Sequence, residues 1–287
     1  MNDAVKRFWR EIILSALLLA SAFVWYAVYL ETPSRFLTVA VLNVGQGDAI
    51  YIESPTGNEV LIDGGPPRAV LGELRSVMPF YDRTIDTLIV SNPDKDHIAG
   101  FVDILRSYRV KRIIVPGTHS SSSIYAELEN IVKEKNIERI IAKRGMRLSL
   151  GGGAVLDILF PDRDVSGLST NNGSIIARLA YGSTSAMFVG DAPSAVEEYV
   201  TLIDNVDSDI LKVGHHGSRT SVSEEFIAEV TPAYAVISAG LNNSYGHPHK
   251  ETIDQLQKFS IPYFVTADDG RVIFTTDGKV IQEKTER

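Results

Sequence analysis

Cysteine is absent from this chain of 287 residues. Its absence excludes both a disulfide framework and a thiolate metal site. Any metal ion must therefore be held by histidine, aspartate, glutamate, asparagine or water, and these ligands favour harder ions or a mixed nitrogen and oxygen zinc site. The lack of cysteine does not by itself indicate a cellular compartment.

An excess of positive charge is also missing, because the formal net charge is −8 at pH 7. The overall basic surface that marks many nucleic-acid-binding domains is therefore excluded. A nucleic-acid substrate is not excluded, since a nuclease can work through a local basic strip and metal ions. The sequence has no low-complexity segment, and its length allows one large domain or two small ones with an ample core.

Charge is locally absent near the N-terminus, where residues 12–30 (IILSALLLASAFVWYAVYL) form an uncharged run of 19 residues. As a helix this run would extend roughly 28 Å, close to the hydrocarbon thickness of a bilayer. Basic residues precede it and aromatic residues flank it, as at membrane interfaces, and the basic side is expected in the cytoplasm. We therefore predict a cytoplasmic N-terminus at 1–11, a membrane anchor at 12–30, a linker at 31–35 and an extracytoplasmic domain at 36–287.

Three alternatives to this topology stay open. Ala20-Ser21-Ala22 resembles the cleavage site of a signal peptide, although the apolar run continues for eight residues past Ala22. The run could also be a buried helix of a soluble protein. Finally, the domain could face the cytoplasm.

From residue 36 the pattern becomes alternating and rich in β-branched residues, which indicates strands. Antiparallel strands are predicted first and are followed by strands that alternate with helices. A hairpin at residues 174–189 opens a second half with the same order. Two mixed sheets packed face to face with helices outside would cover the apolar faces of both halves. We predict an α/β fold of this kind, a four-layer αββα sandwich formed by one domain.

Three strong metal-binding side chains follow the buried strand predicted at residues 87–90. Asp94, Asp96 and His97 lie within four positions on one loop, and Gly100 is expected to begin the following helix. Carboxylates and imidazoles at the end of an apolar strand contribute nothing to its packing, whereas several such strand ends at one sheet edge can hold a metal ion. Asp96 alone could equally be a helix cap, but the cluster favours metal binding.

Two further strand ends carry the same kinds of side chain. Asp191 follows the run 187–190 and could bridge two ions through its two oxygens, or cap the next helix. His215 and His216 leave the strand at 209–213 as neighbours, so their side chains point in different directions. We predict that His215 is the ligand and that His216 supports it or faces the substrate.

Nearby loops supply further candidates. His247 is predicted as a proton donor or phosphate contact, ahead of His249, although both could belong to a solvated loop. Lys212 and Arg219 flank the histidine pair and could contact phosphate, although exposed basic residues are common. The residues expected to support the loops that present the ligands are Asp48 and Asp63.

Seven segments occur in a fixed order: residues 43–49 (NVGQGDA), 61–65 (LIDGG), 91–97 (SNPDKDH), 171–174 (NNGS), 190–191 (GD), 215–218 (HHGS) and 245–249 (YGHPH). Together they resemble the metallo-β-lactamase superfamily, and most closely the hydrolase domain of the ComEC family of bacterial competence proteins. The resemblance covers nearly all of the chain from residue 36. It implies a hydrolase that uses one or two divalent metal ions.

The superfamily's metal motif is H-x-H-x-D-H, and this chain departs from it. Asn92 and Asp94 stand at the two leading histidine positions, whereas Asp96 and His97 match. Asn172 lies near the place of another expected histidine. The resemblance implies two metal positions. The first resembles the superfamily's second site, and the other is oxygen-rich and suits Mn²⁺ or Mg²⁺ better than Zn²⁺. The implied ligands are Asp96, His97, His215 and Asp191 for the first position, and Asp94, Asp191 and Asn92 or Asn172 for the second.

The resemblance further implies phosphodiester hydrolysis, with single-stranded DNA as the first candidate substrate and a role in DNA uptake or processing. Asp96 and His247 are the implied catalytic residues. A lactone or amide hydrolase of the same superfamily is an alternative, because the fold does not decide the reaction. A catalytically degenerate module that binds nucleic acid is another, because Asn92 replaces a histidine.

Overall fold

The computed structural model describes residues 3–31 and 36–287, and the chain divides into two compact units, residues 1–34 and 35–287. The linker predicted at 31–35 falls, apart from Glu31, outside the described residues. Each unit is described by itself below.

The first unit contains the helix α1 (Asp3–Glu31). No glycine or proline interrupts this segment, so the helix can continue through the whole apolar run. The stretch Val5–Tyr26, 22 residues long, is long and apolar enough to cross a membrane, a test that a signal sequence also passes. Large apolar side chains on it are exposed, for example Leu18 and Trp25 at 71% each.

The second unit consists of strands and helices in the following order. The strands are β1 (Leu37–Val41), β2 (Ile50–Glu53), β3 (Glu59–Ile62), β4 (Thr84–Ile89), β5 (Arg109–Val115), β6 (Glu138–Ile141), β7 (Arg147–Gly151), β8 (Ala154–Phe160), β9 (Ile176–Tyr181), β10 (Thr184–Phe188), β11 (Ile210–Lys212), β12 (Tyr234–Ile237), β13 (Tyr263–Val265), β14 (Arg271–Thr276) and β15 (Ile281–Glu286). The helices are α2 (Ala69–Val77), α3 (Lys95–Ser107), α4 (Ser123–Glu134), α5 (Ser194–Thr201), α6 (Glu224–Val230), α7 (Lys250–Lys258) and α8 (Thr266–Asp269).

These strands form two mixed sheets. The first has the order β15-β14-β1-β2-β3-β4-β5-β6, and the second has the order β13-β12-β11-β10-β9-β8-β7. In each sheet antiparallel pairs give way to a parallel run, β3 to β6 in the first and β10 to β13 in the second. This repetition is the one that the sequence pattern predicts for the two halves.

The buried side chains lie in layers. Between the sheets, apolar residues of both, such as Ile52 and Leu156, form one core. Phe101 and its neighbours on α2, α3 and α4 cover the outer face of the first sheet. Phe226 on α6 and Leu256 on α7 belong to clusters on the outer face of the second. The predicted four-layer αββα sandwich is therefore confirmed.

Three details differ from the expectations. Helix α3 begins at Lys95, so Gly100 lies inside it, where a Cβ would approach the Gly64 carbonyl oxygen to 1.9 Å. Glycine is thus required there by close packing and not by a helix start. Strand β6 was not predicted. The C-terminal strands β14 and β15 follow the second half in sequence, but they join the first sheet, where β14 pairs with β1.

Candidate metal centre

The loops that follow the parallel strands bring the candidate residues to one edge of the sandwich. Asp63 follows β3, and His97 lies in the first turn of α3, the helix after β4. Asp191 follows β10, and His216 follows β11. The carboxyl ends of parallel strands meet at one edge, which explains the convergence. There the chain forms a shallow depression of about 160 Å³. Its lining consists of Gln46, Asp94, Asp96, Asn171, Asp191, His215, His216, Tyr245 and His247.

The loop between β1 and β2 packs tightly against the start of α3. A Cβ at Gly47 would lie 2.3 Å from the carbonyl oxygen of Asp96, so that only glycine fits. This close approach carries Gln46 and Asp48 to the depression. The turn of four residues around Gly47 is thereby part of the site and not only a connection between strands.

His97 is fixed from behind by a carboxylate. Its ring is fully buried, and its Nδ1 lies 2.8 Å from Oδ2 of Asp63, which accepts the hydrogen bond. Asp63 also accepts a hydrogen bond from the backbone N–H of Ser91 at 2.8 Å. With the proton on Nδ1, the lone pair of Nε2 faces the depression, 3.1 Å from Oδ2 of Asp191. A carboxylate behind an imidazole is the usual support of a metal-binding histidine.

The two adjacent histidines after β11 differ in placement. His216 is 2% exposed, and its Nδ1 donates to the carbonyl oxygen of Ser238 at 3.0 Å, so its Nε2 is also free to accept a cation. That Nε2 lies 3.2 Å from Asp96 Oδ2 and 3.8 Å from Asp191 Oδ1. The side chain of His215 is 27% exposed at the rim, with its Nε2 3.8 Å from Asp191 Oδ2. The structure therefore favours His216 over the predicted His215 as the central ligand.

Backbone geometry explains how two neighbours reach such different places. His215 and His216 both adopt the left-handed conformation, with φ of 47° and 55°. This conformation is unfavourable for residues other than glycine and is concentrated at functional sites. It turns the chain back on itself, so that one ring enters the depression and the other stays at its rim.

Several buried polar atoms around the depression lack a hydrogen-bond partner within residues 36–287. They are His97 Nε2, His216 Nε2, Asp191 Oδ1 and Asp48 Oδ1. Buried polar atoms are normally paired, because an unpaired one costs about 1–3 kcal/mol. Asp96, His97 and His216 also offer ligand atoms within 4.8 Å of one another. The residues present therefore fit a divalent cation, which would satisfy these atoms together.

The ionisation of these groups points the same way. Burial alone would lower the pKa of His97, but the carboxylates of Asp191 and Asp63 raise it well above its usual value. Burial is likewise outweighed at His216, where Asp191 and Asp48 raise the pKa to about 9. Burial would raise the pKa of Asp191, yet the two imidazoles lower it. The carboxylates around His97 and His216 thus favour positive charge between these groups.

Asp48 is held by a buried ion pair. Nζ of Lys212 donates to Oδ2 of Asp48 at 2.8 Å, and each side chain is 1% exposed. Lys212 thus balances the charge of Asp48, while Asp63 and Asp191 remain as further buried carboxylates beside the two imidazoles. The prediction that Lys212 contacts phosphate is wrong, because its ammonium is enclosed. The prediction that Asp48 and Asp63 support the ligands agrees with their contacts.

We call Asp48, Asp63, His97, Asp191 and His216 the buried half of the site.

The other side of the site is built from amides, a hydroxyl and one carboxylate, and we call Asn92, Asp94, Thr170 and Asn171 the open half. Asn92 is fully buried, donates to Asn171 Oδ1 at 2.7 Å and accepts from the Asp94 backbone N–H at 3.0 Å. Thr170 donates to Asp94 Oδ2 at 2.9 Å. The side chain of Asn92 therefore links two loops. Asn172 is exposed, so Asn171 takes the place in the depression that was expected for Asn172.

His247 forms the remaining wall. The backbone N–H of Gly240 donates to Gln46 Oε1 at 3.1 Å, which turns Gln46 Nε2 toward His247 Nδ1 at 3.5 Å. An amide NH₂ can only donate, so His247 carries its proton on Nε2. Burial lowers the pKa of His247 to about 4, and the neighbouring His216 acts in the same direction. The ring is thus neutral at pH 7.

The other predicted contacts lie farther out. His249 precedes α7, and its Nδ1 accepts from the backbone N–H of Arg219 at 3.2 Å. The Arg219 side chain is exposed. The sequence reasoning did not identify Gln46, Tyr245 or Asn171 as lining residues. The proximity of Gln46 to Asp48 was a signal for it, and the others depend on loop conformation.

Comparison with known proteins agrees with this geometry. A family model described as the metallo-beta-lactamase superfamily matches residues 42–240, more than half of the chain. The chain belongs to this superfamily. Asn92 and Asp94, which replace histidines of the superfamily's motif, both lie in the open half. Asp96 and His97, which match the motif, contact the imidazole of His216 and the carboxylate of Asp191, respectively.

Curated relatives within the superfamily are competence proteins. ComE operon protein 3 of Bacillus subtilis is 31% identical over 261 residues, covering 84% of this chain and 33% of the relative. Competence protein ComA of Neisseria gonorrhoeae is 26% identical over 261 residues, covering 90% of this chain and 35% of the relative. The predicted resemblance to the ComEC family is confirmed. The chain spans about a third of the length of these relatives.

Solved structures show the fold alone. The metallo-beta-lactamase fold protein YhfI of Bacillus subtilis superposes with a TM-score of 0.55 at 13% identity, covering 86% of this chain and 100% of that one. CmlA of Streptomyces venezuelae, a diiron β-hydroxylase, superposes with a TM-score of 0.54 at 14% identity, covering 89% and 55%. Because CmlA shares the fold and is described as a hydroxylase, the fold alone does not fix the reaction.

Proposed function

We propose that this protein is a metal-dependent phosphodiesterase that cleaves DNA, with single strands as the preferred substrate. Its N-terminal helix anchors it in the cell membrane as a single span, and residues 36–287 lie on the extracytoplasmic side. The observation that carries the catalytic part is the set of unpaired buried atoms on His97, His216 and Asp191, of which His216 and Asp191 line the depression.

The side chains around the depression divide the work of hydrolysis. A divalent ion held by Asp96, His97, Asp191 and His216 would activate water and polarise a phosphate oxygen. Asp191 and Asp96 are anions at neutral pH, because neighbouring imidazoles lower the pKa of both carboxyls against the effect of burial. They can accept hydrogen bonds from the attacking water. His247 presents its Nε2–H from the opposite wall to an oxygen of the phosphodiester, and the leaving oxygen is the candidate that we favour.

The choice among ions follows from the two halves. The buried half offers two imidazoles with carboxylates, a mixed set that suits Mn²⁺ and also Zn²⁺. The open half contributes the carboxylate of Asp94 among amides and a hydroxyl, an oxygen-rich set that suits Mn²⁺ or Mg²⁺. We therefore propose one ion between Asp96 and the buried half, with a second, weaker position beside Asp94.

DNA as the substrate is supported by the relatives. Two are named as competence proteins or products of the ComE operon, and a third, from Haemophilus influenzae, is named recombination protein 2 and is 29% identical over 253 residues. The depression opens at the surface beside Tyr245, which is 64% exposed, so that a polymeric chain can reach it. A role in DNA uptake or processing follows if this chain shares the work of those longer proteins.

The catalytic proposal is tested on the full chain in detergent micelles. Metal content is measured after purification, and cleavage of single-stranded and double-stranded DNA is followed with Mn²⁺, Mg²⁺ and Zn²⁺. We expect bound metal, faster cleavage of single strands, and loss of both metal and cleavage in Asp96→Ala. A lactone substrate serves as the matched negative control.

Each part can fail separately. An Asp96→Ala variant that cleaves as fast as the parent would refute the assigned site. Hydrolysis of the lactone without cleavage of DNA would replace the phosphodiesterase by a different member of the superfamily. Tight DNA binding with no turnover under any metal would favour the degenerate binding module.

The topology is tested with introduced cysteines, since the chain has none of its own. Ser121 in the domain and Asp3 at the start of α1 are both exposed. A membrane-impermeant maleimide should label Ser121→Cys in intact cells and Asp3→Cys only after lysis. The opposite pattern would place the domain in the cytoplasm.

A further inference from the structure

We propose that the ring of Tyr245 is a stacking surface for the nucleobase next to the scissile phosphodiester. This inference rests on the proposed function and names the part of the substrate that the site recognises. Tyr245 lines the same depression as Asp96, Asp191 and His247. Its residue surface is nevertheless 64% exposed, which is unusual for an aromatic ring beside buried catalytic groups.

One face of the Tyr245 ring is covered by His247, and much of the remaining surface of the residue is exposed. It stacks on the imidazole of His247, with ring centroids 5.6 Å apart and an angle of 18° between the planes. His247 in turn contacts the rings of His215 and His216, at 5.8 Å and 6.2 Å between centroids. A base placed against the outer side of Tyr245 would extend this series of rings outward from the phosphodiester site.

The loop that carries the ring is held rigidly by Asn243. The Oδ1 of Asn243 accepts from the backbone N–H groups of Tyr245 and His247, at 3.1 Å and 3.0 Å. Its Nδ2 donates to the carbonyl oxygens of Gly240 and His247, at 2.9 Å and 2.6 Å. Both ends of one amide thus fix the loop. An exposed aromatic side chain on a fixed loop loses little conformational freedom when it binds a ligand.

Stacking on an aromatic ring also selects the form of the nucleic acid. Every base has a π face, so that a tyrosine binds bases with little regard to sequence. In a duplex each base already stacks on its neighbours, and its face becomes available only when it is unstacked at an energetic cost. A ring at this position therefore favours single-stranded substrates.

The test compares two oligomers that carry the same phosphates. The full chain, with Mn²⁺ in detergent, is assayed on a thymidine nonamer and on a nonamer of abasic residues, and kcat/KM is measured for each. Tyr245→Ala should lower kcat/KM on the thymidine nonamer by about 5- to 150-fold, the equivalent of about 1–3 kcal/mol of stacking. The same substitution should change kcat/KM on the abasic nonamer by less than about twofold, and Tyr245→Phe should resemble the parent on both.

Tyr81→Ala is the matched control. Tyr81 is 48% exposed and precedes β4, at the end of that strand away from the depression, so its loss should leave both rates unchanged. Equal losses on the two oligomers in Tyr245→Ala would show that the ring only positions His247, and would overturn the inference. An unchanged rate on the thymidine nonamer would do the same while leaving the proposed function intact. A parent protein that cleaves neither oligomer would instead refute the proposed function.

Discussion

The buried half and the open half of the depression follow the same structural plan with different chemistry. Both are presented by loops at the ends of strands. The buried half gathers charged and titratable groups whose exposed fractions are a few per cent or less, supported by the ion pair between Lys212 and Asp48. The open half gathers Asn92, Thr170 and Asn171 around Asp94, and these groups satisfy one another by hydrogen bonds.

The difference shows what each half is built to hold. Four buried atoms without a partner, on His97, His216, Asp191 and Asp48, belong to the buried half, and a cation could satisfy them. In the open half, the amide of Asn92 already has partners for both of its ends. A buried group that is fully paired stabilises the loops, whereas one that is left unpaired is available to a ligand. Asn92 therefore stabilises the loops of the open half, while the unpaired atoms of the buried half remain available to a cation.

The largest effect on stability is expected when the ion pair between Lys212 and Asp48, which supports the buried half, is broken. Lys212→Met removes the cation from a buried pair and leaves Asp48 among further carboxylates. The free energy of unfolding should fall by about 3–5 kcal/mol, as for other buried pairs that lose one partner. Urea unfolding of the full chain in detergent measures this. Arg219→Met, at an exposed site, is the control and should change stability by less than about 0.5 kcal/mol. Equal stability of the two variants would show that the pair contributes nothing.

The next effect separates the two adjacent histidines. His216→Ala removes a buried imidazole that faces Asp96 and Asp191, so metal affinity should fall by more than about 100-fold, beyond the cost of losing a supporting residue. His215→Ala removes a ring at the rim and should cost less than about 10-fold. Competition between the protein and a chelator for Mn²⁺ or Zn²⁺ measures both. A larger loss in His215→Ala would restore His215 as the central ligand.

The smallest effect concerns the open half. Asn92→Ala breaks the link between two loops and leaves the Asp94 backbone N–H unpaired, so unfolding should become easier by about 1–3 kcal/mol. Affinity for the first metal ion should stay near that of the parent. Thermal unfolding and metal titration check the two statements, with the exposed Asn172→Ala as the control. Loss of the first ion in Asn92→Ala would mean that Asn92 is itself a ligand.

The difference between what could and could not be predicted is clearest at residues 215 and 216. The sequence places two histidines at the end of an apolar strand, and their relation to a metal site follows from that position. Which ring enters the depression depends on left-handed φ angles at both residues, and the chain pattern does not indicate them. The same holds for Asn171 and Asn172, which differ only in the direction that a short helical turn gives them.

Lys212 was expected at the surface, but the structure shows that it is buried. A lysine beside two histidines suggests a phosphate contact, because lysine is usually exposed. Here the alternation of β11 directs it inward, where Asp48 arrives from a loop 164 positions away in the chain. Only the packing of that loop on α3 shows that the ammonium balances a buried carboxylate.

By itself the sequence determined the layered fold, an apolar helix long enough for a membrane near the N-terminus, and the strand ends at which metal-binding side chains occur. These features depend on local periodicity and on residue type, which are both written along the chain. The tertiary structure decided which atoms converge, which are already paired and which ring remains exposed beside them. Those outcomes depend on contacts between distant segments and on a few backbone angles, and each can reverse the role of a residue without changing the local pattern around it.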